Sequence, residues 1–284
     1  MQHMNTRRNF LKASGAIAVG TLLLPDLAKA AKFKKVNDVG LQLYTVRKEM
    51  LEDNIGTLKK IASLGYKEIE SAGSEKGSYY GFKPAEMKKV CQNLGMTLRS
   101  GHVHYDDNWQ QTIDDAVESG QQYLIVSVMP TKGQTVDNYK HVAEIFNKAG
   151  EACKKSNITL GYHNHDSEFE KENGKVLYDV LLENTHPEFV KMEMDLGWVI
   201  VTGNDPLAYF TKYPGRFPLW HLKDMDMKEK HSTEFGKGGL DVKKMLQNAN
   251  KAGMKYFFVE QEEYSGTAFD CLEYNMKYLK NLNY

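Results

Sequence analysis

Two imidazoles and two carboxylates follow one short apolar run near the middle of the chain. Residues 160–169 read Leu-Gly-Tyr-His-Asn-His-Asp-Ser-Glu-Phe. Because side chains alternate between the two faces of a strand, we expect His163 and His165 to share one face, with Tyr162 and Asn164 on the other. Such groups can ligate a metal ion or transfer protons. Hydrogen-bonded histidines at a strand end would give the same pattern.

Similar polar endings follow other apolar runs along the chain. In chain order they are Gln42, Tyr44 and Arg47; Glu68 and Glu70; His102 and His104; His163, His165 and Glu168; Glu193 and Asp195; His221, Lys223 and Asp224; and Glu260 and Glu262. The beginnings of the same runs are apolar or unremarkable. If the runs are parallel strands, this asymmetry predicts a functional site at their carboxyl ends.

The elements that must position these residues alternate between strands and helices. The predicted strands are Val39 to Val46, Tyr66 to Ser71, Thr97 to His104, Tyr123 to Met129, Ile158 to His163, Val190 to Leu196, Pro218 to Lys223 and Tyr256 to Gln261. The predicted helices are Asn54 to Leu64, Pro84 to Leu94, Trp109 to Ser119, Val136 to Ser156, Val176 to Glu183, Pro206 to Tyr213, Asp241 to Ala252 and Ala268 to Leu282. Strand starts lie roughly 30 residues apart, the length of one strand-helix unit. This pattern predicts an α/β fold, a single-domain (β/α)8 TIM barrel over residues 31–284. An open doubly wound sheet is the alternative, disfavoured because no G-x-G-x-x-G follows the first strand.

The first thirty residues have the features of an export signal. Arg7 and Arg8 precede an apolar run over residues 13–24, and Ala28-Lys29-Ala30 has the form of a cleavage site. We interpret residues 1–30 as a twin-arginine signal peptide, which predicts a periplasmic protein without a stable membrane anchor. Export also disfavours phosphorylated substrates.

Composition excludes several other classes of function. The chain has 37 basic and 37 acidic residues, so it lacks the basic excess typical of nucleic-acid binding. Its three cysteines are isolated from one another and suggest neither a disulfide framework nor a thiolate metal site. The sequence does not indicate an oligomeric state.

Three residues at the ends of consecutive strands could converge on one cation. Asp195, His221 and Glu260 offer carboxylate and imidazole ligands without thiolate, a set that suits Mn, Zn, Co, Mg or Fe(II). A network of rim ion pairs is the alternative. Lys223 could hold a substrate oxygen or donate a proton, or form a salt bridge with Asp224 or a neighbouring acid.

Six motifs together resemble one protein family. They are Leu-Gln-Leu-Tyr-Thr-Val-Arg at 41–47, Tyr-His-Asn-His at 162–165 with Glu168 and Phe169, Glu-Met-Asp-Leu-Gly-Trp at 193–198, His-Leu-Lys-Asp at 221–224, Gly-Lys-Gly at 236–238 with Asp241, and Val-Glu-Gln at 259–261. The chain is similar to the sugar phosphate isomerase/epimerase family, the xylose isomerase-like TIM barrels. The resemblance covers nearly all of the chain after residue 30.

The resemblance implies one divalent metal ion, Mn, Zn, Co or Mg, held by four side chains. When the family's ligand positions are carried over to this sequence, three of the four ligands are Asp195, His221 and Glu260. Family epimerases usually have a glutamate within the fifth strand, where this chain has His163. We therefore name Glu168 as the fourth ligand and His163 as the alternative.

Roles and a reaction are predicted from the strand-end residues together with this resemblance. The catalytic candidates are His163, His165, Lys223 and Glu260, and the candidates for substrate binding are Gln42, Tyr44, His102 and Trp198. Trp198 would equally serve as a core aromatic residue. The expected partner is a small-molecule sugar, and the expected function is a metal-dependent isomerase or epimerase that transfers a proton through an enediolate.

Two alternatives to isomerisation stay open. If His163 or His165 replaces a strand-five carboxylate, removal of a proton beside a carbonyl stays feasible, because imidazole titrates near neutral pH. The outcome could then be elimination, so the first alternative is a dehydratase or lyase acting on a keto-sugar or inositol-type substrate. The other alternative is a non-catalytic sugar-binding subunit. The balanced charge argues against the endonuclease relatives of this fold.

Overall fold

A closed barrel of eight parallel strands forms the centre of the molecule. The structure is a computed structural model that describes residues 36–284. The barrel strands are β1 (Gly40–Gln42), β2 (Glu68–Ser71), β3 (Thr97–Val103), β4 (Tyr123–Val126), β5 (Thr159–His163), β6 (Val190–Asp195), β7 (Leu219–Leu222) and β8 (Tyr256–Val259). Each strand pairs with the next one in the chain, and β8 pairs with β1 to close the barrel. The predicted single-domain (β/α)8 barrel is confirmed.

Eleven α-helices lie within residues 36–284. They are α1 (Arg47–Glu52), α2 (Asn54–Leu64), α3 (Pro84–Asn93), α4 (Trp109–Ser119), α5 (Val136–Lys155), α6 (Leu177–Asn184), α7 (Leu196–Val201), α8 (Pro206–Lys212), α9 (Val242–Gln247), α10 (Ala249–Ala252) and α11 (Ala268–Asn281). Predicted bounds for α2 and α4 are confirmed without change. Gly65 and Gly253, which follow α2 and α10, have φ values of 103° and 79°. Glycine adopts this left-handed conformation without strain, so both helices end as expected.

The largest departures from the predicted elements occur beside the carboxyl ends of strands. The first strand stops at Gln42, four residues before its predicted end, and a 3-10 helix spans Leu43–Val46. The Gln42 side chain accepts a hydrogen bond from the Tyr44 amide at 3.1 Å, which stabilises this turn. A further helix, α7, begins directly after Asp195, whose side chain caps it by accepting from the Trp198 amide at 3.0 Å. The predicted helix over 241–252 is divided at Asn248 into α9 and α10.

Two hydrophobic layers pack against the barrel wall. The larger one lies between the strands and the surrounding helices. The smaller one comprises Ile125, Leu219 and Phe258, which fill the interior. A Cβ atom on Gly161 would lie 2.5 Å from Ile125 Cδ1, and one on Gly40 would lie 2.4 Å from the Phe257 carbonyl oxygen. These two glycines therefore make room for Ile125, Leu219 and Phe258, which we call the interior plug.

The amino-terminal end of the barrel contains an ion pair that the sequence analysis did not expect. Arg99 donates two hydrogen bonds to Glu68, at 2.9 and 3.0 Å, and its guanidinium lies 4.4 Å from the centre of the Tyr256 ring. The assignment of Glu68 to the carboxyl-terminal rim was wrong, because β2 begins at this residue. Both ends of the barrel are therefore polar, and the plug separates them.

Two sequence predictions concern the membrane and the amino terminus. Over residues 36–284, none of the helices combines the length and the apolar character needed to cross a membrane. The predicted signal peptide, residues 1–30, lies outside the part of the chain that the structure describes.

Candidate active site

A cavity of about 600 Å³ opens at the carboxyl ends of the strands. It is lined by residues at the ends of β3 and β5 and in the loops after β1 to β5 and after β8: Tyr44, Ala72, Gly73, Ser74, Gly77, Ser78, His102, Val103, His104, Ser127, Val128, His163, His165, Glu260 and Glu262. His163 and His165 both line it, as their predicted common face requires. Most of the other lining residues are small, so the titratable side chains provide much of the chemistry of this cavity.

The Lys223 ammonium group lies among three carboxylates at the base of this region. Its Nζ atom is 2.8 Å from Asp195 Oδ2, 2.7 Å from Glu260 Oε2 and 2.7 Å from Glu262 Oε1. The lysine is 1% exposed, so these charges interact with little screening by solvent. Burial alone would lower the pKa of Lys223, but the charges of the three carboxylates raise it well above its usual value. Lys223 is therefore a fixed cation, paired with these acids and not with Asp224.

Four side chains bring their ligating atoms within 4.8 Å of one another: His163, Asp195, His221 and Glu260. His163 Nε2 lies 3.0 Å from His221 Nδ1 and 3.5 Å from Asp195 Oδ2. His221 Nδ1 also lies 2.8 Å from Glu260 Oε2. All four are buried. They come from β5, β6, β7 and the residue after β8, so consecutive parallel strands produce the convergence.

The electrostatics of this cluster divide it into charged and neutral groups. Burial raises the pKa values of Asp195 and Glu260, but the Lys223 charge outweighs burial and holds both well below their usual range. Burial lowers the pKa of His221, yet the charges of Glu260 and Glu193 raise it well above its usual value. Burial keeps the pKa of His163 well below its usual value, so this imidazole is neutral at pH 7.

The donor set fits a divalent cation. Two imidazole nitrogens and two carboxylate oxygens without thiolate suit Zn, Mn, Co or Mg. The lone pair of neutral His163 and the ionised carboxylate of Asp195 are in the protonation states that metal binding requires. Within residues 36–284, Asp195 Oδ2 has no directed hydrogen bond, although Lys223 lies within ion-pair distance of it. An ionised oxygen held by ion pairing keeps lone pairs that a cation can share.

Two further carboxylates lie beneath the cluster, and they hold His221 of the cluster and the neighbouring His102 in place. Glu70 Oε1 is 2.7 Å from His221 Nε2 and accepts a 2.9 Å hydrogen bond from Gln42 Nε2. Glu193 Oε2 is 2.7 Å from His102 Nε2. Burial raises the pKa values of Glu70 and Glu193 to about 7, and the charge of Glu193 adds to the effect on Glu70. Both carboxylates orient histidine rings, a role that fixes tautomers.

Glu70 and Glu193 were noted in the sequence only as strand-end carboxylates without an assigned role. Both are 0% exposed. The signal that could have found them is the period of two along a strand: Glu193 is two residues before Asp195, so both face the barrel interior. The Glu70 partner could not be inferred from the sequence, because it depends on contact across the barrel with His221.

Glu168, named as the fourth ligand from the resemblance, lies apart from the cluster. Its carboxylate accepts hydrogen bonds from the Tyr162 hydroxyl and the His165 amide, both at 2.7 Å. Tyr162 packs in the outer hydrophobic layer, which places Glu168 behind the strand. The alternative ligand, His163, occupies the fourth position of the cluster.

The residues predicted to bind substrate occupy different positions. Tyr44 and His102 line the cavity, and Tyr44 is 38% exposed. Gln42 is buried, and its amide is engaged by Glu70 and the Tyr44 backbone. Trp198 is half-buried, and its ring centre lies 5.1 Å from Lys223 Nζ. Of the four, two therefore have direct access to a ligand in the cavity.

The glycine-rich segment over residues 235–241 is bound by an internal carboxylate. Asp224 accepts hydrogen bonds from the backbone amides of Gly236, Gly238 and Leu240, at 2.8, 3.1 and 2.9 Å. A Cβ atom on Gly238 would lie 2.3 Å from Asp224 Oδ1, so glycine is required for this approach. Asp224 thus anchors the loop next to Lys223.

Comparisons with known proteins agree with this geometry at the level of the fold. Residues 58–282 match the family described as the xylose isomerase-like TIM barrel. A crystal structure of a sugar phosphate isomerase/epimerase from Parabacteroides distasonis is 30% identical, with a TM-score of 0.76, and the match covers 86% of this chain and 98% of that one.

Curated relatives have a different activity in their names. An inosose dehydratase from Clostridium beijerinckii is 24% identical over 90% of this chain and 92% of its own length. One from Clostridium tetani is 32% identical over 32% of this chain. The matched segments span only 30% of the C. tetani protein and 55% of an inosose dehydratase from Lacticaseibacillus casei. From the family match over residues 58–282, the chain belongs to the xylose isomerase-like TIM barrel family.

Proposed function

We propose that this protein is a metal-dependent dehydratase, a lyase that removes water from a polyhydroxylated cyclic ketone of the inosose type. The observation that carries the proposal is the buried cluster of His163, Asp195, His221 and Glu260 at the base of a cavity that further imidazoles line. The names of the curated relatives support elimination as the reaction class. A dehydratase was the runner-up in the sequence analysis, behind an isomerase.

The residues of the cluster define how a ketone would be held. His163, Asp195, His221 and Glu260 would hold a divalent cation, which supplies a positive charge that stabilises an enolate oxygen. Lys223 keeps its proton and offers a second positive charge beside two of these ligands. We therefore propose His163 in place of Glu168 as the fourth ligand.

Elimination requires a base for the hydrogen beside the ketone and an acid for the departing hydroxyl group. The two carboxylates that line the cavity, Glu260 and Glu262, are both paired with Lys223. An epimerase that uses two carboxylates on opposite sides of a substrate would need one of them free of such pairing. Imidazoles line the cavity instead, and we assign the protonation of the leaving hydroxyl to His165, whose ring centre lies 4.8 Å from that of His163.

Substrate contacts follow from the cavity wall. We propose that Tyr44 packs on the substrate ring at the mouth, where its side chain is exposed. We assign Gln42 to the support of Glu70, and Trp198 to the support of Lys223, because neither side chain lines the cavity.

Isomerisation or epimerisation of a keto-sugar is the second candidate. The similarity to the P. distasonis sugar phosphate isomerase/epimerase, at 30% identity over 98% of that chain, favours it. The two reactions share removal of the hydrogen beside the carbonyl and differ in the fate of the intermediate. Loss of water from the product therefore distinguishes them.

The test uses purified protein loaded with Mn, Zn, Co or Mg. Mass spectrometry of an inosose after incubation should show loss of one water, whereas a product of unchanged mass and altered stereochemistry would favour the epimerase. Ion content should be near one per chain and should fall in folded Asp195→Ala, His221→Ala and Glu260→Ala variants. Reaction with neither an inosose nor a keto-hexose, despite a bound ion, would favour the sugar-binding subunit.

We also propose export to the periplasm by the twin-arginine route, from the motif at residues 6–12 and the cleavage form at 28–30. Fractionation of cells that express the wild-type chain should recover it in the periplasm. Replacement of Arg7 and Arg8 by lysine should retain it in the cytoplasm, and unchanged export would contradict the proposal.

A further inference from the structure

One imidazole in the cavity differs from the others in how its two nitrogens are placed. His102 lines the cavity, and its side chain is 12% exposed. Its Nε2 atom lies 2.7 Å from Glu193 Oε2, and Glu193 is fully buried beneath it. Over residues 36–284, His102 Nδ1 has no hydrogen-bond partner and is not among the buried polar atoms. The ring therefore has one nitrogen held by a carboxylate and one open to a ligand.

The carboxylate decides which nitrogen carries the hydrogen. When Glu193 is ionised, it accepts at Nε2, which fixes the tautomer with hydrogen on Nε2 and leaves a lone pair on Nδ1. The ring orientation is also fixed, because the His102 ring stacks on that of His221 with centres 5.1 Å apart and planes 5° from parallel. Such an oriented imidazole, with a carboxylate behind it, is a general base by geometry.

The other cavity imidazoles lack this combination. His163 directs Nε2 at His221, and its Nδ1 atom is buried without a hydrogen-bond partner among residues 36–284. His165 has neither ring nitrogen hydrogen-bonded within the described residues, and His104 is exposed at the rim. Among the imidazoles that line the cavity in residues 36–284, His102 is the one with a carboxylate-held nitrogen and an accessible one.

We propose that His102 is the catalytic base and that Glu193 is the positioning residue that holds its tautomer. This inference rests on the proposed dehydratase function. The sequence predicts His102 as a substrate-binding residue, and the proposal gives it a role in proton transfer instead.

The proton balance of the proposed step is closed. His102 Nδ1 takes the hydrogen beside the ketone as a proton, and the electron pair of that C–H bond forms the double bond of an enolate. Return of the carbonyl double bond expels the hydroxyl group on the next carbon, which leaves as water with a proton from His165. His102 then loses one proton to solvent through the open cavity and His165 regains one, so the net change is loss of water from the substrate.

The experiment follows an inosose in deuterium oxide by NMR, with protein loaded with Mn. Exchange of the hydrogen beside the ketone should be at least about 100-fold slower in His102→Ala than in the wild type, and added imidazole should restore part of the rate. Glu193→Gln should slow exchange by at least about tenfold, because its amide can donate to Nε2 and move the hydrogen to Nδ1. Imidazole should not rescue this variant, since the His102 ring still fills the position. His141→Ala, an exposed histidine on α5, is the matched control and should exchange at the wild-type rate.

Ion content and the thermal unfolding midpoint are measured for every variant. A His102→Ala protein that keeps its ion and exchanges at the wild-type rate would overturn the assignment while leaving the dehydratase proposal intact. Rescue of Glu193→Gln by imidazole would contradict the tautomer role of Glu193. Absence of exchange in the wild type with ion bound would overturn the dehydratase proposal and this assignment with it.

Discussion

The two ends of the barrel contain the same kinds of charged groups in opposite arrangements. At the amino-terminal end, Arg99 and Glu68 satisfy each other through two hydrogen bonds and pack under Tyr256. At the carboxyl-terminal end, Lys223 is shared among three carboxylates, and one buried oxygen each of Asp195 and Glu193 has no hydrogen bond from the part of the chain that the structure describes. Polarity alone therefore does not mark the site. The two ends differ in charge balance: one cation pairs with one carboxylate at the amino-terminal end, whereas one lysine faces three carboxylates at the carboxyl-terminal end.

Unmatched buried charge costs stability and is retained where a ligand completes it. The three interior side chains Ile125, Leu219 and Phe258 separate the ends, so each end can be altered independently. We expect substitutions at the carboxyl-terminal end to change ion binding and stability together, and substitutions at the amino-terminal end to change stability alone.

The largest expected effect comes from removing the fixed cation. Lys223→Met removes the ammonium that pairs with buried Asp195 and Glu260 and leaves the imidazolium of His221 as their remaining counter-charge, which should lower the free energy of unfolding by about 3–5 kcal/mol in metal-free protein. A bound divalent ion should restore much of the lost free energy of unfolding, because it replaces the missing positive charge. Denaturant unfolding with chelator and with Mn measures both values. The exposed Lys148→Met is the control, and a loss in Lys223→Met that Mn leaves unchanged would contradict a cation site here.

The second effect is a dependence of stability on pH that only the carboxyl-terminal end should show. Burial raises the pKa of Glu193 to about 7 in the folded protein, above the usual 4.5. Between these values Glu193 binds more protons in the folded chain than in the unfolded chain, so its contribution to the unfolding free energy should fall as pH rises toward 7 and stay lowered above it. The expected fall is at most about 3 kcal/mol.

Glu193→Gln provides the control for this pH dependence in metal-free protein. The amide does not titrate. The unfolding free energy of the variant should therefore change less between pH 5 and 7 than that of the wild type, and the difference should be the contribution of Glu193 given above. Unfolding in urea at several pH values measures the difference. Parallel curves for both proteins would show that Glu193 does not titrate in this interval.

The third effect belongs to the amino-terminal end. Arg99→Met should destabilise the protein by about 2 kcal/mol, because it leaves the partly buried Glu68 without its partner. The double variant Arg99→Met with Glu68→Leu should recover most of this loss, since no unpaired charge remains. Ion content and proton exchange should match those of the wild type in both variants. A reduced ion content would show that the two ends are coupled through the plug.

The sequence predicted the barrel and the convergence of Asp195, His221 and Glu260, because both follow from local alternation of strands and helices. It failed for Glu68, where an error of about two residues in the strand boundary exchanged one end of the barrel for the other. It failed also for Glu168, whose acceptance of the Tyr162 hydroxyl depends on the 3-10 turn at Ser167–Phe169. The roles of Glu70 and Glu193 depend on contacts across the barrel, which periodicity along one strand does not contain.

The smallest effect tests the plug that separates the two ends. Gly161→Ala places a methyl group against Ile125 Cδ1, the mobile tip of a side chain, so we expect a loss of about 1 kcal/mol. Ile125→Val alone should cost a similar amount, about 1 kcal/mol, by removing that tip. Combined, the new methyl takes the place of the lost one, so the double variant should be closer to the wild type than the sum of the single variants. Gly40→Ala is the contrast, because its methyl would meet the Phe257 carbonyl oxygen, which cannot withdraw. Additive losses for Gly161→Ala and Ile125→Val would show that the interior packs differently from this description.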